Sequence, residues 1–318
     1  MNILVTGGAG FIGSHLCRRL SDSHRIVCLD NFNDYYDPAA KRRNIEGLIN
    51  RNNFLLIEGD ILDRGLIMDL FSSQQFDVVV HLAARAGVRP SIKDPLLYQR
   101  VNIEGTLHLL DAAVETSVEK FLLASSSSVY GKNEKVPFAE DDFVDNPISP
   151  YAATKKACEL MAYTYHSLYQ LPVTCLRFFT VYGPGQRPDM AIHKFTRMID
   201  RGEKIPVFGD GHSRRDYTYI DDIIQGILRS IERCSGYHIY NLGESTTIEL
   251  IRMIELLEKG LGKKAHIEWL DEQPGDVPIT YADISRAKNE LDYNPVTNFE
   301  DGIEKFIHWY LETGRKGG

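Results

Sequence analysis

The 318-residue chain lacks the marks of several protein classes, and each absence narrows what it does. It carries no excess of positive charge. Its 36 Lys+Arg stand against 44 Asp+Glu, a formal net charge of −8, so no overall field draws in the phosphates of a nucleic acid, and no nucleic-acid partner is expected. Cysteine is scarce and irregularly spaced. Cys17, Cys28, Cys158, Cys175 and Cys234 form no C-x-x-C pair, so they give no metal or redox signature and read as small apolar core residues in a reducing compartment. No apolar run approaches the ~20 residues of a membrane span, so no membrane partner is expected. MNILVTGG runs straight into a predicted strand without a charged and then apolar leader, and a cytoplasmic location is the expectation. Internal repeats and low-complexity linkers are also missing, which predicts lobes that share a tight interface.

What is present is 43% hydrophobic content and a repeating order of short apolar runs and amphipathic segments. The runs predict strands at 2–6, 26–30, 54–58, 78–81, 120–125 and 173–178, with helices at 13–21, 66–73, 98–116 and 151–169 between them. Such alternation is what an α/β, Rossmann-type doubly wound parallel sheet produces. After Phe179 the pattern breaks into Gly- and Pro-rich turns and a helix near 248–261, which predicts a smaller C-terminal α/β substrate-binding lobe with some segments returning to the sheet. The expected division is 1–176 plus 216–242 for the dinucleotide-binding domain and 177–215 plus 243–318 for the other lobe, with the active site in the cleft between them.

TGGAGFIG places Gly7, Gly10 and Gly13 between the first predicted strand and the first helix, spaced G-x-x-G-x-x-G. Glycine permits a tight turn and close backbone approach to a pyrophosphate, and a helix N-terminus offers unpaired N–H groups there, Phe11 and Ile12 included. A mere tight turn would look the same. Asp30, closing the second strand beside Asn31, strengthens the dinucleotide reading, because its carboxylate can accept from ribose hydroxyls and would repel a 2′-phosphate, favouring NAD over NADP. Asp60, beside Ile61, is placed to meet the adenine edge or to be a solvated loop acid. HLAA leaves the backbone of Leu82, Ala83 and Ala84 for a cofactor to pass, and His81 before them reads as a packed histidine rather than a catalyst.

Tyr151 and Lys155 stand four apart at the head of a predicted helix, on one face, shortly after the strand that ends in Ser125–Ser128. A lysine ammonium and a positively charged nicotinamide nearby both favour a phenolate, so Tyr151 is the candidate general base, with Lys155 also touching the cofactor and Ser126 orienting the substrate hydroxyl.

TGGAGFIG, YAATK at 151–155 and the serine-rich strand end resemble the extended short-chain dehydrogenase/reductase family across essentially the whole chain. Within it the chain is most similar to nucleotide-sugar 4-epimerases, and DNFNDYYDP, AGVRPS and RFFTVYGPGQRPDMA resemble the UDP-glucuronate 4-epimerases in particular. The resemblance implies tightly bound NAD, oxidation of the sugar at C4, turning of the 4-keto ring and reduction on its other face. It also implies a homodimer through the two helices predicted at 98–116 and 151–169, whose apolar residues are otherwise ordinary core. Dehydrating and decarboxylating relatives place acids in the segment matching Ser126–Ser128, the decarboxylases a glutamate at Ser128, so three serines imply epimerisation. A uronate's 4-keto intermediate is a β-keto acid that loses CO2 readily. Ser127, Ser128 and Thr180 are candidate hydroxyl donors to restrain its carboxylate, with Arg187 adding charge, although the two serines can also merely satisfy backbone groups. UDP-glucose epimerases have asparagine at the position of Thr180. The resemblance puts Arg215 and Arg89 on the UDP-sugar diphosphate and Asp276 on the ribose, with Arg214 solvated, while Gln273 replaces a phosphate-binding arginine of many relatives. The alternatives are a UDP-glucose or UDP-N-acetylglucosamine 4-epimerase, a UDP-glucuronate decarboxylase, and a non-catalytic NAD sensor, which would not need Tyr151 and Lys155 together.

Overall fold

Six apolar runs of the first half become β1 (Asn2–Thr6), β2 (Arg25–Asp30), β3 (Phe54–Glu58), β4 (Val78–His81), β5 (Lys120–Ser126) and β6 (Val173–Phe178). The later strands are β7 (Thr180–Tyr182), β8 (Lys204–Phe208), β9 (Arg214–Arg215), β10 (Tyr217–Tyr219), β11 (Tyr237–Leu242), β12 (Ile248–Glu249) and β13 (His266–Leu270). The structure is a computed structural model that describes residues 1–271 and 277–313.

A seven-stranded sheet runs in the order β11-β6-β5-β4-β1-β2-β3, and every pairing in it is parallel. Helices cover both faces, so β4 and β6 are buried along their whole length, which is why they read as unbroken apolar runs. The strand order reverses between β1 and β4. In such sheets the crevice outside the strand C-termini at that reversal is where ligands bind, and Gly7 and Leu82 leave their strands there.

The sequence pattern missed β11, an edge strand whose outer residues are only half-buried and whose YHIYNL run mixes polar and apolar side chains. The helix predicted at 98–116 is present: it runs without a break through the α-helical segments Pro95–Tyr98 and Gly105–Glu115, and the stretch Gln99–Glu104 between them is a wide π-helical turn. Such turns are frequent at functional sites, and this one carries the buried Asn102. Outside the large sheet, β8 pairs with β13, β9 with β12 and β7 with β10. Among the described residues no helix is long and apolar enough to cross a membrane.

Asp216, fully buried just before β10, ties together segments far apart in the chain. Its carboxylate accepts from the N–H groups of Glu244 at 2.8 Å, Ser245 at 3.1 Å and Ala282 at 3.1 Å. Glu244 beside it is pushed up to about 8 by burial and by the charges of Asp222 and Asp216. A carboxyl raised in the folded state contributes stability in full below its unfolded value near ~4.3, and that contribution is lost as pH rises through the folded value. Replacing Glu244 by glutamine therefore raises the melting temperature near pH ~9 and changes it little near pH ~5; a shift of the same size at both, measured by calorimetry, would show that the carboxyl is not strained.

Candidate active site

A cavity of about 460 Å³ opens at the reversal point. One end is walled by Gly7, Gly10, Phe11, Ile12, Gly13, Asp30, Asn31, Asp60, Ile61, Leu82, Ala83 and Ala84, and the other by Ser126, Ser127, Ser128, Tyr151, Lys155, Thr180 and Arg187.

The glycine turn has room for backbone alone. Gly7 adopts φ +68°, and a Cβ on Gly13 would stand 2.3 Å from the Gly7 carbonyl oxygen. Gly10 caps the Phe11–Leu20 helix with no side-chain bond, so the helix meets the cavity with its first N–H groups open. The Tyr36 hydroxyl is buried without a hydrogen-bond partner, 4.0 Å from where a Cβ on Gly10 would lie. An orphaned donor beside an uncapped helix N-terminus fits an anionic dinucleotide backbone. Asp30 is buried, and its oxygens accept from Ala9 N–H at 3.2 Å and Phe32 N–H at 2.9 Å, with Lys41 Nζ 3.9 Å away. Burial pushes its carboxyl up against the pull of Lys41 and those two bonds. Asp60 accepts from Asn31 Nδ2 at 2.8 Å, so these two candidates form one unit. His81 bonds Thr6 at 2.7 Å and Thr106 at 3.0 Å, and burial, helped by Lys155, lowers it to about 3, which makes it a neutral packed histidine.

The helix Pro150–Tyr169 begins with Ser149 as its cap, Ser149 Oγ accepting from Ala152 N–H, and with Pro150 in its first turn, so Tyr151 and Lys155 project from that end. Lys155 Nζ donates to the Ala124 carbonyl at 2.7 Å, tying the helix to the end of β5. Tyr151 meets the ring of Tyr98 edge-on at 6.2 Å, and its N–H donates to Ser91 Oγ at 3.0 Å. Ser126 has a task that the sequence did not announce: its Oγ accepts from Ser128 N–H at 3.1 Å and caps the short turn Ser127–Tyr130. Its own proton remains available to a substrate oxygen. Among the described residues the hydroxyls of Ser127 and Ser128 bond to nothing, so the backbone-satisfying alternative does not hold for them.

Beneath these groups lies a buried ion pair. Arg177 of β6 holds Glu159 through Nε at 2.8 Å and Nη2 at 2.9 Å, and its Nη1 donates to the Tyr130 hydroxyl at 3.0 Å. Ser125 donates to Glu159 at 2.7 Å. Burial alone would push Glu159 up, but the bonds and charge of Arg177 outweigh it and hold the carboxyl below its usual range. Tyr130 in turn donates to Asn241 of β11 at 2.6 Å.

Other predicted contacts fall differently. Arg187 is held by Asp189 through Nε and Nη2, both at 2.9 Å, so its charge is already answered two residues away. Arg89 stacks on Phe208 with its guanidinium 4.8 Å from the ring centre, and Arg215 donates to the carbonyls of Arg214 and Pro278; neither belongs to the described cavity wall. Arg214, expected to be solvated, pairs with Glu249 at 2.7 Å on the surface. Asp276 and Gln273 lie outside the described residues. Sequence reasoning missed Asn33, Tyr35, Tyr36, Lys41 and Arg85 as cavity residues. For Asn33, Tyr35 and Tyr36 the signal was the dense run of polar and aromatic residues after Asp30.

A family model described as the NAD dependent epimerase/dehydratase family matches residues 3–243. A UDP-glucuronate 4-epimerase of Thermodesulfobacterium geofontis is 44% identical, the match covering 97% of this chain and 96% of that one. Among solved structures, the UDP-glucuronic acid 4-epimerase of Bacillus cereus, in complex with UDP-glucuronic acid and NAD, is 39% identical with a TM-score of 0.93 over 98% of this chain and 99% of that one. The UDP-glucose 4-epimerase of Thermotoga maritima with UDP-glucose is 33% identical with a TM-score of 0.91, covering 98% and 99%.

Removing one partner of the Arg177–Glu159 pair leaves a buried charge unanswered, so Arg177→Met costs about 3–5 kcal/mol in urea unfolding. The double variant with Glu159→Leu recovers much of that; a single variant as stable as the parent would show that the pair is not structural.

Proposed function

The chain belongs to the NAD-dependent epimerase/dehydratase family and is an NAD-dependent nucleotide-sugar 4-epimerase, and we propose that its substrate pair is UDP-glucuronate and UDP-galacturonate. NAD, when bound, supplies the reversible two-electron oxidation at C4 of the sugar. The observation that carries the uronate reading is the wall beside Tyr151, where Ser127 and Ser128 present unpartnered hydroxyls, with no acid among Ser126, Ser127 and Ser128.

In this reading Tyr151 takes the proton of the C4 hydroxyl and returns it after the 4-keto ring has turned, while Ser126 fixes that oxygen. Lys155, anchored on Ala124, keeps a positive charge beside the phenol and faces the nicotinamide ribose. Gly7, Gly10, Phe11, Ile12 and Gly13 hold the pyrophosphate, Asp30 and Asn31 the adenosine ribose, Asp60 and Ile61 the adenine, and Leu82, Ala83 and Ala84 the nicotinamide side. Ser127, Ser128 and Thr180 restrain the sugar carboxylate, and Arg89, Arg215 and Asp276 take the UDP end. The division at 1–176 plus 216–242 and 177–215 plus 243–318 puts cofactor and sugar in separate lobes, a reading supported by β11, which rejoins the sheet.

We place the enzyme in the cytoplasm, a reading supported by five free buried thiols. A homodimer through the helices Gly105–Glu115 and Pro150–Tyr169 is supported by Leu160, Tyr163, Leu168 and Tyr169, large apolar side chains left exposed along the second of them. The Arg187–Asp189 pair favours a neutral-sugar epimerase as the second reading, because it offers a carboxylate less charge than a lone arginine.

Incubated with UDP-glucuronate, the enzyme forms an isobaric product, and Tyr151→Phe lowers kcat by about 10²–10⁴-fold while bound NAD is retained. Full activity in that variant would remove Tyr151 from the chemistry, and turnover confined to UDP-glucose or UDP-N-acetylglucosamine would select the second reading.

A further inference from the structure

The loop 183–190 leads from β7 to the helix Ala191–Arg201 and carries two residues of the cavity wall, Arg187 and Met190. Its tip has little stiffness of its own. Pro184 lies between two glycines in the positive-φ region, Gly183 at +141° and Gly185 at +78°, and glycine is free to leave such conformations for others. The base of the loop is tied down. Gln186 N–H donates to the Gly183 carbonyl at 3.1 Å, its Nε2 donates to the Val181 carbonyl at 3.1 Å, and its own carbonyl accepts from His193 Nδ1 at 2.5 Å.

The tip is held from the other side of the molecule, by His15 of the Phe11–Leu20 helix. His15 Nε2 stands 2.9 Å from the Pro184 carbonyl oxygen, and because a carbonyl only accepts, that nitrogen carries the hydrogen. Burial lowers the pKa of His15 against the bond to Pro184, so the ring is neutral. It packs edge-on against Phe11 with centroids 5.8 Å apart, and Phe11 is itself cavity wall. A Cβ on Gly185 would lie 3.7 Å from His15 Nε2, 3.7 Å from Asn44 Oδ1 and 3.9 Å from the Phe11 ring. Asn44 in turn donates to the Ala9 carbonyl at 3.1 Å, inside the glycine turn. The tip therefore sits in a seat made by the glycine turn and the first helix, and His15 supplies the hydrogen bond that fastens it.

We propose that His15 is a positioning residue for the nucleotide sugar: its bond to the Pro184 carbonyl fixes the loop 183–190 on the Phe11–Leu20 helix and so sets the separation of Phe11 from the wall formed by Arg187 and Met190. His15 is not among the residues that wall the cavity, so it acts through the loop. Without the bond, the two glycines let the tip move, and only a fraction of the molecules presents the wall in place. A ligand that needs that wall binds more weakly by the same fraction. Once bound, it holds the loop where it belongs, and the complex reacts as before. The signature is a raised KM at unchanged kcat. The glycine turn keeps its own bonds, Gly7 N–H to the Leu29 carbonyl at 2.8 Å and Gly10 N–H to the Gly7 carbonyl at 3.1 Å, so bound NAD is retained.

The test measures steady-state kinetics with UDP-glucuronate and the content of bound NAD on the wild type, His15→Leu and His15→Gln. His15→Leu raises KM about 3- to 10-fold, the effect of losing one hydrogen bond, with kcat and NAD content as in the wild type. His15→Gln, whose amide nitrogen reaches about as far as Nε2, recovers most of the affinity. An unchanged KM in His15→Leu would leave His15 as packing, a fall in kcat instead would place it with the reacting groups, and loss of NAD would place it with the cofactor; each overturns the proposal. A glutamine variant no better than the leucine variant overturns it as well, because the ring's shape and not its bond would then hold the loop. Should His15→Leu fail to fold, His15→Asn, polar but too short to reach Pro184, makes the same comparison. The proposal needs a nucleotide sugar and not a uronate: a wild type active on UDP-glucose alone sinks the uronate reading, and the same variants compared on UDP-glucose then decide the role of His15.

Discussion

The buried pair between Arg177 and Glu159, each side chain 1% exposed, is the constraint on which the site's geometry depends. Two charges out of water need every donor and acceptor answered. Here Glu159 is met by Arg177 and Ser125, and Arg177 reaches on to Tyr130 and the Glu140 carbonyl. The pair thereby fixes β6, the end of β5 and the helix Pro150–Tyr169 in one mutual arrangement. Ser126 and Lys155 each stand next to a member of that network, Ser126 by one residue and Lys155 by one helical turn, so the serine and the lysine inherit its rigidity. Catalytic side chains gain most when their own supports are locked, and a packed ionic network beneath the cavity does that without occupying it.

Above this base the cavity divides its work by chemistry. At the glycine-turn end the wall is mostly backbone, because glycines leave no side chains in the way and the helix N-terminus is uncapped. Beside Tyr151 the hydroxyls of Ser126, Ser127, Ser128 and Thr180 and the guanidinium of Arg187 replace it. The Asp189 partner of Arg187 shows that counting arginines in a sequence does not measure the field in a pocket. What matters is which of them is already paired.

The sheet was legible in the sequence because parallel strands covered on both faces are continuous apolar runs, and β1 to β6 fall at or within a residue of the predicted runs. The glycine turn, Asp30, Tyr151 and Lys155 were legible for a similar reason: each depends on short-range spacing next to a strand end. Tyr35, Tyr36 and Arg85 were not, because they reach the cavity from loops after β2 and β4 whose path no periodicity reports. The helix predicted at 98–116 was legible too, but its π-helical stretch over Gln99–Glu104 was not, since no local pattern reports the bonds that its Asn102 makes to the Arg85 backbone. Pairing of Arg187 with Asp189 lay in plain view in GQRPD, and was missed because the motif was read for a ligand and not for its own internal charge.

The central claim is that this cavity inverts C4 of a uronate and lets nothing else leave the ring. UDP-glucuronate carrying deuterium at C4, brought to equilibrium with the enzyme in ordinary water, tests it in one mass spectrum. The account predicts UDP-galacturonate of unchanged mass with the deuterium still at C4. A product that has lost CO2, or a uronate whose C4 deuterium has been exchanged for solvent hydrogen, would contradict it.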